Sequence, residues 1–184
     1  MASAVIQAIG TISGNQPRMR RIIEKAAQTF LMGVPVSVEA ATGSIIEWDG
    51  VTLAADIAGI SKEPAKNRTT TGVEEYLSLP GGAAPNQPLG QKIARGAPYD
   101  DGRIQIEVAL DDTMFLAQVG PAQTTAATDV GVNYGMTKDA DNHWFVDKTK
   151  TGANAVCQVV KLDQADTTRG VWIVFLRAAQ QLLA

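Results

Sequence analysis

Along residues 102–110, Ile104, Ile106, Val108 and Leu110 alternate with Arg103, Gln105, Glu107 and Ala109. One row then faces a core and the other faces solvent, which is the period-two pattern of a half-buried strand. A second alternation, Val132, Tyr134 and Met136 and then Trp144 and Val146, brackets the turn-forming run Lys138, Asp139, Ala140, Asp141 and Asn142. It predicts a β-hairpin over residues 130–150. Further strands are predicted at residues 34–38, 44–48, 57–61, 114–119, 153–162 and 171–176, punctuated by Thr42 with Gly43, Asp49 with Gly50, and Asp111 with Asp112. Turn signals recurring at about eight to twelve residues indicate an all-β sandwich or barrel.

The ends and one long insertion break this rhythm. Residues 1–17 place Val5, Ile6, Ile9 and Ile12 among small polar residues, with Gly10, Gly14 and Pro17 preventing a helix. Lacking a nearby hairpin mate, the segment reads as an edge strand or an extended arm, and the expectation is an arm that pairs with something else. Over residues 18–30 the stripe Ile22, Ile23, Ala26, Ala27 and Phe30 favours a helix, with a short strand at residues 19–23 as the alternative. Residues 62–101 carry too many Pro and Gly breakers for a continuous element, apart from a short strand at residues 75–79. A loop of that length is expected to be functional or disordered, and not a plain connector. The reading is one domain: arm 1–17, body 18–176 with the long loop, and tail 177–184 that forms a helical turn or an extended strap.

At 184 residues the chain suits one core. Its charged share of 19% is below the roughly 25% usual for soluble chains, which favours a surface partly covered by a partner. A net charge of −3 and a pI near 5.1 repel a phosphate backbone, so no nucleic-acid partner is expected. No apolar run approaches a membrane span and no positively charged leader precedes the first apolar residues. The expectation is therefore no membrane partner and no export.

Candidate chemistry is sparse. Cys157, the single cysteine, lies in the apolar run 155–160 and reads as a buried thiol; a disulfide within the chain and a zinc cluster are excluded. His143, the single histidine, would have to serve any triad or dyad and reads as a solvent-facing hairpin residue. Asp139 and Asp141 begin like a calcium loop, but Trp144 stands where the glycine belongs and Lys150 where the bidentate Glu belongs, so turn chemistry is favoured. The pairs Asp100 with Asp101 and Asp111 with Asp112 bracket one strand about 30 Å apart and also read as turns. Gly81 and Gly82 lack the flanking strand and helix of a phosphate loop. No catalytic residue, metal or cofactor is expected. The partner-binding candidates are Val5, Ile6, Ile9 and Ile12 in the arm and the basic residues Arg18, Arg20 and Arg21 beside Lys25. Pro85, Asn86, Gln87, Pro88 and Arg95 in the long loop complete the set.

The order AAQTFLMGVPVSV, DIAGIS, PNQP with ARGAPYDDGRI, DTMF, DVGVNYGMTKDADNHWFVDKT and VWIVFL resembles the head decoration, or capsid cement, proteins of tailed bacteriophages. The resemblance spans most of residues 26–176. It implies a small β-barrel or β-tulip module, made in the host cytoplasm, that sits on the outer capsid surface of the virion. It also implies a trimer that clamps neighbouring copies of the major capsid protein, and a turn entering a strand over residues 26–38. On this reading the arm adds a strand or lies along a seam on the shell, so removing residues 1–17 weakens binding and leaves the fold intact. The long loop makes a second contact, Pro85, Pro88 and Pro98 lowering its ordering entropy. A tail or baseplate β-module and a small ligand-binding β-barrel are the alternatives. The barrel alternative calls for exposed aromatics, yet Trp48, Trp144 and Trp172 all fall in predicted strands.

Overall fold

The computed structural model describes residues 5–50, 56–67 and 102–182 of the chain. Eleven strands occur among them: β1 (Gln7–Thr11), β2 (Met19–Ile23), β3 (Pro35–Val38), β4 (Ile45–Glu47), β5 (Gly59–Ser61) and β6 (Arg103–Val108). The rest are β7 (Thr113–Gln118), β8 (Asn133–Lys138), β9 (Trp144–Asp147), β10 (Cys157–Leu162) and β11 (Gly170–Phe175). Helical structure among these residues is confined to single 3₁₀ turns, and the protein is all-β, as the alternations predict. None of the described helices is long and apolar enough to cross a membrane.

The strands form two antiparallel sheets: sheet one runs β1-β7-β11-β10-β8-β9 and sheet two runs β2-β6-β5-β3-β4. Each curls back on itself at a single point, β9 meeting the residue after β7 in sheet one and β4 meeting the residue after β2 in sheet two. Val119 meets Val146 in sheet one and Glu24 meets Ile45 in sheet two. A single bridge is not a ladder, so the barrel expected from sequence is two strongly curved sheets instead of one closed cylinder. The core lies between them, where Ile104, Ile106 and Ile60 of sheet two meet Phe115, Ile173 and Phe175 of sheet one. Phe115 and Phe175 pack edge to face with centroids 5.3 Å apart, a geometry that adds to area burial.

The arm expectation is corrected here. Residues 7–11 are β1, the edge of sheet one, paired with β7 from Gln7 opposite Leu116 to Thr11 opposite Thr113. Ile6 is 2% exposed and belongs to the core. The mate the sequence lacked nearby lies about a hundred residues on. The helix favoured over residues 18–30 is corrected too: residues 19–23 are β2, in register with β6 from Met19 opposite Glu107 to Ile23 opposite Arg103. Backbone pairing consumed the apolar stripe, and Ala27 adopts a left-handed φ of 58°, which no helix continues through.

Glu107 departs from the alternation that placed it in solvent. It is 2% exposed, its carboxylate receives the Ala8 N–H at 2.5 Å, and Lys62 Nζ lies 2.8 Å away. The Ile6 N–H in turn donates to the Gly33 carbonyl at 3.2 Å. The outward N–H groups at the start of β1 are thus capped by sheet two, a device that both covers an edge strand and joins the sheets. Ala109, placed on the same solvent row, is also buried, under the Ala58 carbonyl that its N–H reaches at 3.1 Å.

The tail does both things foreseen for it. Residues Arg177–Ala179 make a 3₁₀ turn, and the next residues dock as a strap. Gln180 bridges Ile57, and the Gln181 amide takes the Val38 N–H on Oε1 and gives its own N–H to the Val38 carbonyl, each at 2.6 Å. One side chain thereby stands in for a neighbouring strand where β3 outruns β5.

Candidate interaction surface

Seven large apolar side chains are exposed among the described residues, and six of them lie between residues 9 and 32: Ile9, Ile12, Met19, Ile23, Leu31 and Met32. Ile12 is 62% exposed and Met19 51%. Glu107 ties Ala8 of β1 to the β6 position opposite Met19, and the Ile6 to Gly33 bond sets Leu31 and Met32 beside the start of β1, so Met19, Leu31 and Met32 border that strand, with Ile12 and Ile23 at the far ends of β1 and β2. The β1–β2 loop that carries Ile12 is held by its own polar groups. Thr11 Oγ1 donates to the Asn15 carbonyl at 2.9 Å, and Ser13 Oγ bonds the Asp112 carboxylate at 3.0 Å. Ile12 is therefore presented on an ordered turn.

Beside this flank β2 carries Arg20 and Arg21 and follows Arg18, all exposed. Lys25 is drawn off into an ion pair with Glu39, whose carboxyl that same contact and the Thr42 hydroxyl hold below the usual carboxylate range. Of the sequence candidates, Ile9, Ile12, Arg18, Arg20 and Arg21 come together here, and Val5 lies half-buried at the base of β1. Ile6 is lost to the core. Pro85, Asn86, Gln87, Pro88 and Arg95, with the strand expected at residues 75–79, lie outside the described residues. Met19, Ile23, Leu31 and Met32 were missed; the signal available was apolar residues flanking an arginine pair, and the helical stripe obscured it.

The reactive candidates settle into structural roles. Asp139 Oδ1 accepts the N–H groups of Asp141 and His143, each at 2.9 Å, as a turn-closing carboxylate does. His143 lies in that turn, half-buried, with Nδ1 3.7 Å from Asp139. Asp139, Asp141 and His143 form a loose trio whose ligand atoms fall within 4.8 Å of one another, and the turn hydrogen bonds account for it. Trp48 and Trp144 are buried against each other at 5.0 Å, and Trp172 is half-buried beneath Lys161, so no exposed aromatic platform exists among the described residues.

Cys157 is fully buried, and burial pushes its thiol up to about 12. The thiol is expected to resist iodoacetamide at pH 8 in the folded protein and to react stoichiometrically in urea, as intact mass would show. Labelling at equal rates in both states would place Cys157 at the surface. A second buried group, Asp129, accepts from Tyr134 Oη at 2.8 Å, Lys148 Nζ at 2.8 Å and the Ala126 N–H at 2.7 Å. Burial raises its carboxyl, but these three donors outweigh it and leave the value below the usual range. Burial, and then the hydrogen bond to Asp129, push the Tyr134 hydroxyl up to about 12. Because the folded value of Asp129 is depressed, its contribution is full above the unfolded value near ~3.9 and is lost as pH falls through the folded value. Thermal melts from pH 6 down to about pH 3 should therefore fall less steeply for Asp129→Asn than for the wild type; parallel curves would remove Asp129 from the acid response.

Compared with known proteins, the chain matches no family model, no curated protein and no solved structure.

Proposed function

We propose that the protein is a structural component of a tailed-phage virion that binds the outer surface of the capsid and stabilises it by holding neighbouring major capsid subunits, itself self-associated as a trimer. The observation that carries this reading is the concentration of six of the seven large apolar residues exposed among the described ones, with three arginines, in residues 9–32 on and around the edge strands β1 and β2. A flank built this way favours protein contact: apolar area drives association, and arginines at its margin set orientation and partner. The strand and turn order that resembles capsid cement proteins supplies the identity of the partner. Binding does the work in this reading and no turnover is involved. The buried thiol, the turn-bound histidine and the capped carboxylates described above accord with that.

The test mixes the purified protein with undecorated mature heads and with procapsids, pellets the particles and counts bound copies. Saturation at a symmetry-related number, with a gain in particle heat stability, is the expected result. Absence of binding to both particles removes the capsid reading.

A further inference from the structure

Four of the five methionines lie among the described residues, and they divide by exposure. Met136 is 1% exposed in the core and Met114 is half-buried on β7, whereas Met19 and Met32 are 51% and 48% exposed beside β1. Both exposed thioethers stand on backbone that is fixed without them. Met19 is in register with Glu107 in the β2–β6 ladder, and Gln105 Nε2 donates to its Sδ at 3.0 Å. Met32 lies in the turn before β3, where the Leu31 carbonyl accepts from Ser61 Oγ at 3.1 Å and the Gly33 N–H donates to the Ser61 carbonyl at 2.9 Å. Neither side chain belongs to the core cluster, so a change at its sulfur alters the surface and leaves the packing alone.

We propose that Met19 and Met32 are oxidation sites, at which peroxide turns the apolar border of β1 polar while the fold persists and so weakens the contact this border makes with a partner protein. The proposal rests on the binding reading above and adds the regulation of that surface. In the step, a sulfur lone pair attacks one oxygen of hydrogen peroxide; the O–O bond breaks and an S–O bond forms. Sulfur gives up two electrons and the peroxide is reduced. The proton left on the transferred oxygen joins the departing hydroxide as water. The thioether is apolar and a weak acceptor, and the sulfoxide is polar and must be desolvated when a partner covers it. Burying such a group without a donor opposes association. At Met19 the new oxygen has a donor at hand in the Gln105 Nε2 that already reaches the sulfur, so the oxidised side chain stays anchored to β6. Ile9, Ile12, Ile23 and Leu31 are inert to peroxide, which confines the change to two of the six exposed apolar side chains in residues 9–32. Sulfoxide reductases reverse the step, so the surface can be restored.

The experiment treats the full chain with dilute hydrogen peroxide and follows each methionine by peptide mapping, with the urea-unfolded chain as reference. Met19 and Met32 are expected to oxidise at close to their unfolded rates and Met136 at least tenfold more slowly. The chain oxidised at both sites should keep its Tm and circular dichroism, and its retention on a hydrophobic-interaction column should fall. Met19→Leu combined with Met32→Leu keeps the surface apolar and should hold most of its retention after the same treatment. Protection of Met19 and Met32 to the level of Met136, or unchanged retention of the oxidised wild type, overturns the proposal. On particles, oxidation should weaken binding to heads about tenfold and spare the double leucine variant, and heads should shield Met19 and Met32 of bound wild type from peroxide. Oxidised wild type that binds heads as the untreated protein does overturns the oxidation proposal alone. Wild type that ignores heads and procapsids, yet loses retention on oxidation, overturns the capsid reading alone.

Discussion

A chain lacking residues 1–17 is expected to lose its cooperative thermal transition and its near-ultraviolet dichroism, because the deletion removes a structural strand. Three losses coincide. Ile6 leaves the core, the β7 edge from Thr113 to Leu116 loses its ladder, and the Glu107 carboxylate loses the Ala8 N–H while remaining buried beside Lys62. Removal of a buried isoleucine side chain alone costs about 2–5 kcal/mol, and a buried polar group left short of partners adds roughly 1–3 kcal/mol. Against a total stability of about 5–15 kcal/mol, the sum is enough to unfold the domain. Ile6→Ala is the graded form of the same test and should lower Tm while keeping a single transition. A truncated chain that melts cooperatively at the wild-type temperature would show that β1 is dispensable.

Gly59→Ala should be the most damaging substitution of a single atom group. A Cβ at position 59 would stand 2.1 Å from the Glu107 carbonyl oxygen and 3.1 Å from Val108 Cα. Both are backbone atoms of β6, and β5 is pinned on its other side by β3, with Gly59 opposite Val36. No rotamer relieves the contact, so the ladder itself must part, at a cost of roughly 3 kcal/mol or more. For a domain of this size that is a fall in Tm on the order of 10 °C. Calorimetry decides it, and a change within a degree or two of wild type would mean that β5 and β6 separate readily.

Strands with a full apolar row on the core face were legible wherever their partners lie. The rows Ile104, Ile106, Val108 and Tyr134, Met136 are buried as the alternation requires. β1 and β2 were weighed as strands but passed over for an arm and a helix, since both are edge strands with few buried residues and their partners β7 and β6, far along the chain, leave no mark in a local pattern. The same distance hid Glu107: an acidic residue in an alternating strand reads as solvent-facing unless a main-chain donor from residue 8 is known to reach it. At the surface, Arg18, Arg20 and Arg21 declare themselves by composition. Ile9 and Ile12 declare themselves by their place between breakers. Ile6 does not, because the bulge between Ala8 and Gly10 breaks the facing pattern of β1. Leu31 and Met32 look like any apolar pair before a strand until Gly33, with φ at 78° and its bond to Ile6, turns the chain and leaves them outside.

The Gln181 strap has a consequence for biosynthesis. Every strand of sheet two has been translated by residue 108, yet the group that completes the β3 edge arrives about 70 residues later. At about 5–20 residues per second that is an interval on the order of 4–15 s during which the nascent sheet offers an open strand edge. Closure falls to a segment that leaves the ribosome after all of sheet two, so the nascent chain depends on speed of synthesis, or on a chaperone, at that edge.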